Sequence, residues 1–136
     1  MAGSVRIHAE ILKEMLLHAR SEPEIECCGL LAGRNGVINA IFPAKNVLSS
    51  ATAFEIAPEE LFRLFRTMRD KSLTHLGLYH SHPTGENAPS PRDIEQAFYP
   101  AQAYFIISPR PDTPNPLRAF LIRDRSPEEI EIVATA

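Results

Sequence analysis

Gly77-Leu78-Tyr79-His80-Ser81-His82-Pro83, followed after a short loop by Ser90-Pro91-Arg92-Asp93, is the stretch on which the reading of this chain turns. Leu76 to His82 has the composition of a strand. Successive side chains of a strand point to opposite faces, so His80 and His82 share one face. Two imidazoles so placed can offer nitrogens to one metal at the ~2.0–2.1 Å that zinc requires. The loop from Pro83 to Pro89 can fold back and bring the Asp93 carboxylate to the same point. Two histidines and one aspartate leave a tetrahedral zinc one open position for water, the pattern of a catalytic site. Other readings stand beside this one. A lone His-x-His is common on a protein surface. Ser90-x-x-Asp93 with Pro91 between them also reads as a helix start, with serine as N-cap, proline at N1 and an acid near the dipole. His80 and His82 with Glu86 match half of a cupin metal site. No histidine follows His82, however, and the long run of paired strands of a jelly roll is missing.

Working outward, Ala9 to Arg20 places Ile11, Leu12, Met15, Leu16 and Ala19 at helical spacing, and Ser21-Glu22-Pro23 ends that helix. Gly29 to Arg34 and Val37 to Phe42 read as strands joined by Asn35-Gly36, a strong hairpin signal. Ala44 to Ala53 is small and polar and reads as loop, with a short strand at Phe54-Glu55-Ile56. Pro58 opens a second helix with Leu61, Phe62, Leu64, Phe65 and Met68 apolar. Ser90 to Phe98 reads as a short helix and Ala103 to Ser108 as a buried strand. Pro109 to Pro116 is a proline-rich loop, and Leu117–Arg123 and Glu129–Val133 are the last strands. This order predicts an α/β fold, a mixed β-sheet flanked by helices.

The chain has 136 residues, 44% of them hydrophobic and 23% charged, with a net charge of −3. That fits a single domain spanning 1–136 and excludes a disordered or fibrous chain. The mild negative charge argues against nucleic acid as a partner. No apolar signal segment opens the chain and no run is long enough to span a membrane, so a cytoplasmic location is expected. Cys27 and Cys28 are adjacent, which disfavours a bridge between them, and they read as reduced thiols. Cys28 reads as core; Cys27 is noted as a thiol close to the candidate site. His8, His18 and His75 receive no role, and Ser81 is expected to orient backbone.

His80-Ser81-His82-Pro83 with Ser90 and Asp93 at this spacing resembles the JAMM motif of MPN-type zinc metalloproteases. Glu26, followed by Gly29-Leu30-Leu31-Ala32-Gly33, resembles the upstream glutamate and strand of that family. Phe54-Glu55-Ile56 and Arg118-Ala119-Phe120 extend the likeness. The resemblance implies an MPN domain with a cytidine-deaminase-like three-layer arrangement. It implies one zinc ion per chain, held by His80, His82 and Asp93. Glu26 would then be the general base and acid, and Ser90 the donor to the oxyanion. Read on its own, Glu26 is a loop acid beside Glu22 and Glu24. The implied activity is hydrolysis of the bond after a C-terminal Gly-Gly tail. Compactness resembles members acting on a small ubiquitin-like sulfur-carrier protein, and the loop 44–53 and the turn 83–89 are the expected walls of the groove for its tail. A non-catalytic MPN scaffold is the alternative.

Overall fold

The computed structural model describes residues 3–136; Met1 and Ala2, part of the expected 1–136 domain, lie outside the described residues. In chain order the elements are β1 (Ser4–His8), α1 (Ala9–Ser21), β2 (Cys28–Arg34), β3 (Val37–Ala44), α2 (Pro58–Asp70), β4 (Thr74–Ser81), α3 (Pro91–Glu95), β5 (Ala103–Ile107), β6 (Leu117–Arg123) and β7 (Ser126–Thr135). Asn35 and Gly36 adopt φ of 55° and 75°, as a type I′ hairpin turn demands, and join β2 to β3. Asp124 and Arg125 do the same for β6 and β7 without a glycine, with φ of 50° and 62°. The strand order is β1-β3-β2-β4-β5-β6-β7, and β7 pairs with β1, so the sheet closes. Three pairings are parallel: β1 with β3, β1 with β7, and β4 with β5.

Strand alternation sorts the core into layers. Ile11, Met15 and Ala19, one stripe of α1, pack against Leu31, Ile38, Tyr79, Phe105 and Ile107 on the inner face of the sheet. Complete burial of a side chain such as Met15 stabilises by about 1.5–3 kcal/mol. On the outer face Leu61, Leu64, Phe65 and Met68 of α2 cover Leu30, Ala32 and Leu78. Further along that face Ile94 and Ala97 pack beside Tyr104, Ile106 and Phe120. A helix lies on each face, as the three-layer reading expects, with the sheet closed rather than open. Gly29 permits close packing of β2 and β4: a Cβ there would collide with the Tyr79 ring. Through this contact Cys28 sits opposite His80.

Some details differ from the sequence reading. β7 begins at Ser126 rather than Glu129, because the Asp124-Arg125 turn starts its pairing with β6 there. β1 is a strand, stabilised by pairing with the sequence-distant β7. Phe54–Ile56 joins no ladder, because the Glu55 backbone is engaged by Asn46 and Val47 within its own loop. The third helix runs only Pro91–Glu95, with Gln96 as its C-cap and Pro100 shortly beyond.

Candidate metal centre

β4 presents His80 and, just past its end, His82 on the outer face. α3 supplies Asp93. His80 Nε2 lies 3.1 Å from Asp93 Oδ1, His82 Nε2 lies 3.0 Å from Asp93 Oδ2, and the two Nε2 atoms are 3.2 Å apart. A tetrahedral zinc with 2.0–2.1 Å bonds has ligand–ligand edges of about 3.3–3.4 Å. The two imidazole nitrogens, each facing its own oxygen of the Asp93 carboxylate, are therefore spaced nearly as the ligands of such an ion are. Their chemistry agrees. His82 Nδ1 is 2.8 Å from the Glu86 carbonyl, which can only accept, so Nδ1 carries a proton and Nε2 is the nitrogen that offers a lone pair to the site once the ring is neutral. Among the described residues this is the group able to hold a metal ion.

Burial opposes charge on Asp93, yet hydrogen bonding from the protonated rings of His80 and His82 outweighs it and holds the carboxyl well below the usual carboxylate range. Burial likewise opposes charge on His82, but the Asp93 and Glu86 contacts raise its pKa overall. Both shifts describe a carboxylate that stays ionised and draws positive charge towards it. The Phe54 ring stacks on His80, with centroids 4.7 Å apart, and shields it from water.

The Ser90-x-x-Asp93 segment is both a cap and part of the cluster. Ser90 Oγ accepts from the Asp93 N–H at 3.1 Å, and the Ser90 N–H donates to Asp93 Oδ2 at 2.9 Å. The capping box aims the carboxylate at the histidines. Because Ser90 Oγ acts as acceptor there, its own proton remains free to donate outward.

Glu26 comes to the same region from the segment that leads into β2, the neighbour of β4. Ser81, between the two histidines, clasps the segment around it: Cys27 N–H donates to Ser81 Oγ at 2.9 Å and Ser81 Oγ donates to the Ile25 carbonyl at 3.4 Å. Ser81 orients backbone, as expected. Glu26 is only 5% exposed, and its Oε1 has no hydrogen-bond partner. Burial raises its pKa, against the opposing pull of His80 and His82. A buried carboxyl oxygen without a partner is costly and points to a group held ready for something else. Cys27 and Cys28 do not share that role: burial pushes their thiols up to about 11 and about 12, so both stay protonated.

Sequence reasoning missed two buried asparagines. Asn46 Nδ2 donates to the Glu26 and Ala53 carbonyls, while its Oδ1 accepts from the Leu48 and Glu55 N–H groups. It ties the 46–55 loop to the backbone of Glu26. Asn87 Nδ2 donates to the Ile106 and Asn115 carbonyls and pins the loop between the candidate ligands. A polar residue inside a loop that reads as solvated is the sole signal either one gives. The cupin half-motif does not assemble: the Glu86 carboxylate pairs with Arg118, away from the histidines. Beside Asp93 lies a mostly apolar cleft of about 180 Å³, lined by Leu30, Phe54, Ile56, Leu61 and Phe98 among others. Its lining comes from β2, 54–56, α2, β4, α3 with the stretch after it, and β5, and includes no residue of the loop 44–53 or the turn 83–89.

The chain matches the family described as prokaryotic homologs of the JAB domain over residues 8–123. It is 34% identical over 115 residues to a desampylase of Haloferax volcanii, covering 79% of this chain and 83% of that one. It is 32% identical over 120 residues to a CysO-cysteine peptidase of Mycobacterium tuberculosis, covering 87% and 82%. A solution structure of a Desulfitobacterium hafniense protein superposes with a TM-score of 0.84 at 34% identity, covering 96% of this chain and 92% of that one. With its fold, its donor cluster and these relatives in agreement, the chain belongs to the family of prokaryotic homologues of the JAB domain, the JAMM-type peptidases.

Proposed function

We propose that this chain is a zinc-dependent isopeptidase that hydrolyses the bond after the C-terminal Gly-Gly of a small ubiquitin-like sulfur-carrier protein, and that it acts in the cytoplasm as a single 1–136 domain. The observation that carries the reading is the convergence of His80, His82 and Asp93 beside a buried, unpartnered Glu26 oxygen. His80, His82 and Asp93 would hold the zinc, one per chain, and the chemistry such an ion supplies when bound is Lewis acidity that brings a coordinated water to a pKa of about 7. Glu26 takes the proton of the attacking water and returns it to the leaving amine nitrogen. Its raised pKa suits both transfers, since a general base works best when its pKa approaches the operating pH. Ser90 directs its free hydroxyl proton at the oxygen on which charge develops.

The names of the relatives, desampylase and CysO-cysteine peptidase, support a ubiquitin-like or sulfur-carrier substrate. Two glycines suit a site whose approach is narrowed by Phe54 and by the 46–55 loop that Asn46 holds over Glu26. The test is mass spectrometry on sulfur carriers bearing a short C-terminal extension or amine adduct, together with metal analysis of the enzyme. Expected are close to one zinc per chain and cleavage after the last glycine. Replacing that glycine by valine should block cleavage. Failure to retain zinc in excess ion at neutral pH overturns the metalloenzyme reading. Efficient cleavage of ubiquitin chains with no action on any carrier overturns the substrate.

A further inference from the structure

Arg110 belongs to the proline-rich loop between β5 and β6, yet its guanidinium reaches the loop that separates the candidate ligands. Nη1 donates to the Pro83 carbonyl at 3.0 Å and Nη2 donates to the Gly85 carbonyl. Gly85 has φ of +78°, a left-handed turn that a residue with a Cβ enters only under strain. That turn lets both carbonyls face one guanidinium fork, a geometry a lysine ammonium cannot duplicate. The very next residue, Glu86, offers the carbonyl that accepts the His82 Nδ1–H at 2.8 Å. Arg110 is braced in turn: its N–H donates to Ser108 Oγ, which lies 2.6 Å from Thr113 Oγ1. Asn87 anchors the other side of the same loop to Ile106 and Asn115.

We propose that Arg110 is a positioning residue of the metal centre: by clamping the Pro83 and Gly85 carbonyls it holds the Glu86 carbonyl on His82 Nδ1 and so keeps the His82 Nε2 lone pair turned into the site. The inference deepens the metal reading and depends on it only for its metal arm. A guanidinium that merely tidied a surface loop would behave differently, and the sign of the effect separates the two. Removing a positive charge near a cation site strengthens metal binding by Coulomb's law alone. Removing a positioning residue weakens it.

The experiment uses the whole protein as wild type, Arg110→Ala, Arg110→Lys and Arg118→Ala. Arg118 meets Glu86 through the side chain only, so it serves as the charge control. In the metal-free protein, at a pH above the His82 titration followed in the same spectra, nitrogen NMR of the wild type should show His82 protonated on Nδ1. Arg110→Ala should show a mixture of both tautomers. Zinc affinity, read by competition with a chelating dye, should fall about 10-fold in Arg110→Ala, within the range seen when the partner of a ligand is lost. Arg110→Lys keeps the charge and should fall in between, which preserves the test if the alanine variant folds poorly. Arg118→Ala should show no weakening. Arg110→Ala with His82 still on Nδ1–H and zinc affinity unchanged or higher overturns the proposal. A wild type that binds no zinc fells the metal reading, and the tautomer comparison then decides the role of Arg110 by itself.

Discussion

One strand meets a histidine cluster on each of its faces, a part-buried one on the inner side and a buried one on the outer, and they differ in whether their polar atoms are all partnered. On the inner face Tyr79 lies against α1. Its hydroxyl is 2.7 Å from His18 Nδ1, and His18 Nε2 is 3.2 Å from Glu22 Oε2. Every atom there meets its complement: Tyr79 O–H donates to Nδ1, and Nε2–H donates to the carboxylate. On the outer face His80, His82 and Asp93 bring lone pairs towards one another at 3.0–3.2 Å, and beside them Glu26 keeps an oxygen without a partner. Composition is nearly the same, two aromatic rings or imidazoles with one acid. A buried polar cluster that closes on itself stabilises the fold. One left open to a cation and to water is a place for chemistry.

The comparison breaks most sharply at Glu26. Glu26→Gln keeps the shape and removes the proposed proton carrier, so turnover should fall about 10²–10⁴-fold, the usual contribution of general acid–base catalysis. Zinc content should stay at the wild-type level, because the ligands are untouched. Stability should hold or rise. Burial raises the pKa of Glu26, so the ionised carboxylate opposes folding at neutral pH, and the amide does not. Steady-state kinetics, metal analysis and thermal melts check the three parts. Full activity in Glu26→Gln would place the proton transfer elsewhere; a protein that binds zinc and turns nothing over even as wild type would make the site a scaffold.

The outer cluster was readable because its chemistry is local. His80 and His82 stand two apart on a strand, and the cap that aims Asp93 lies a short loop away, so alternation and capping rules place them together. The two long helices and the Asn35-Gly36 hairpin follow from periodicity and turn chemistry of the same short range. What escaped depends on distance along the chain. β1 is only five residues long and exists as a strand through pairing with β7 at the other end of the protein. The Asp124-Arg125 turn lacks the glycine that announces such a turn, so β7 begins earlier than its apolar residues suggest. Asn46, Asn87 and Arg110 bond to backbone carbonyls of segments remote in sequence. Backbone carbonyls are the same at every residue, so no residue type marks the partner.

A smaller effect sharpens the outer half of the comparison. Ser90 both caps α3 and is proposed to donate to the oxyanion, and one substitution separates these tasks. Ser90→Ala removes both. Turnover should fall about 10²–10³-fold, as for loss of one oxyanion donor, with about 1 kcal/mol of stability lost with the cap. Ser90→Gly, a tolerable N-cap that costs only a few tenths of a kcal/mol, should recover the stability without the rate. Recovery of the rate in the glycine variant would show that Ser90 acts through Asp93 alone.

The smallest effect belongs to the inner face. Tyr79→Phe keeps the aromatic ring that Gly29 packs against, so no cavity forms. The hydroxyl alone is lost, and His18 Nδ1 is left as a part-buried acceptor without its donor. That costs about 1 kcal/mol, read as a lower urea midpoint with an unchanged slope. Zinc content and turnover should not move, because Tyr79 points away from His80 across the strand. If turnover falls while stability holds, the two faces are coupled through β4, and the inner cluster is part of the catalytic apparatus rather than its foundation.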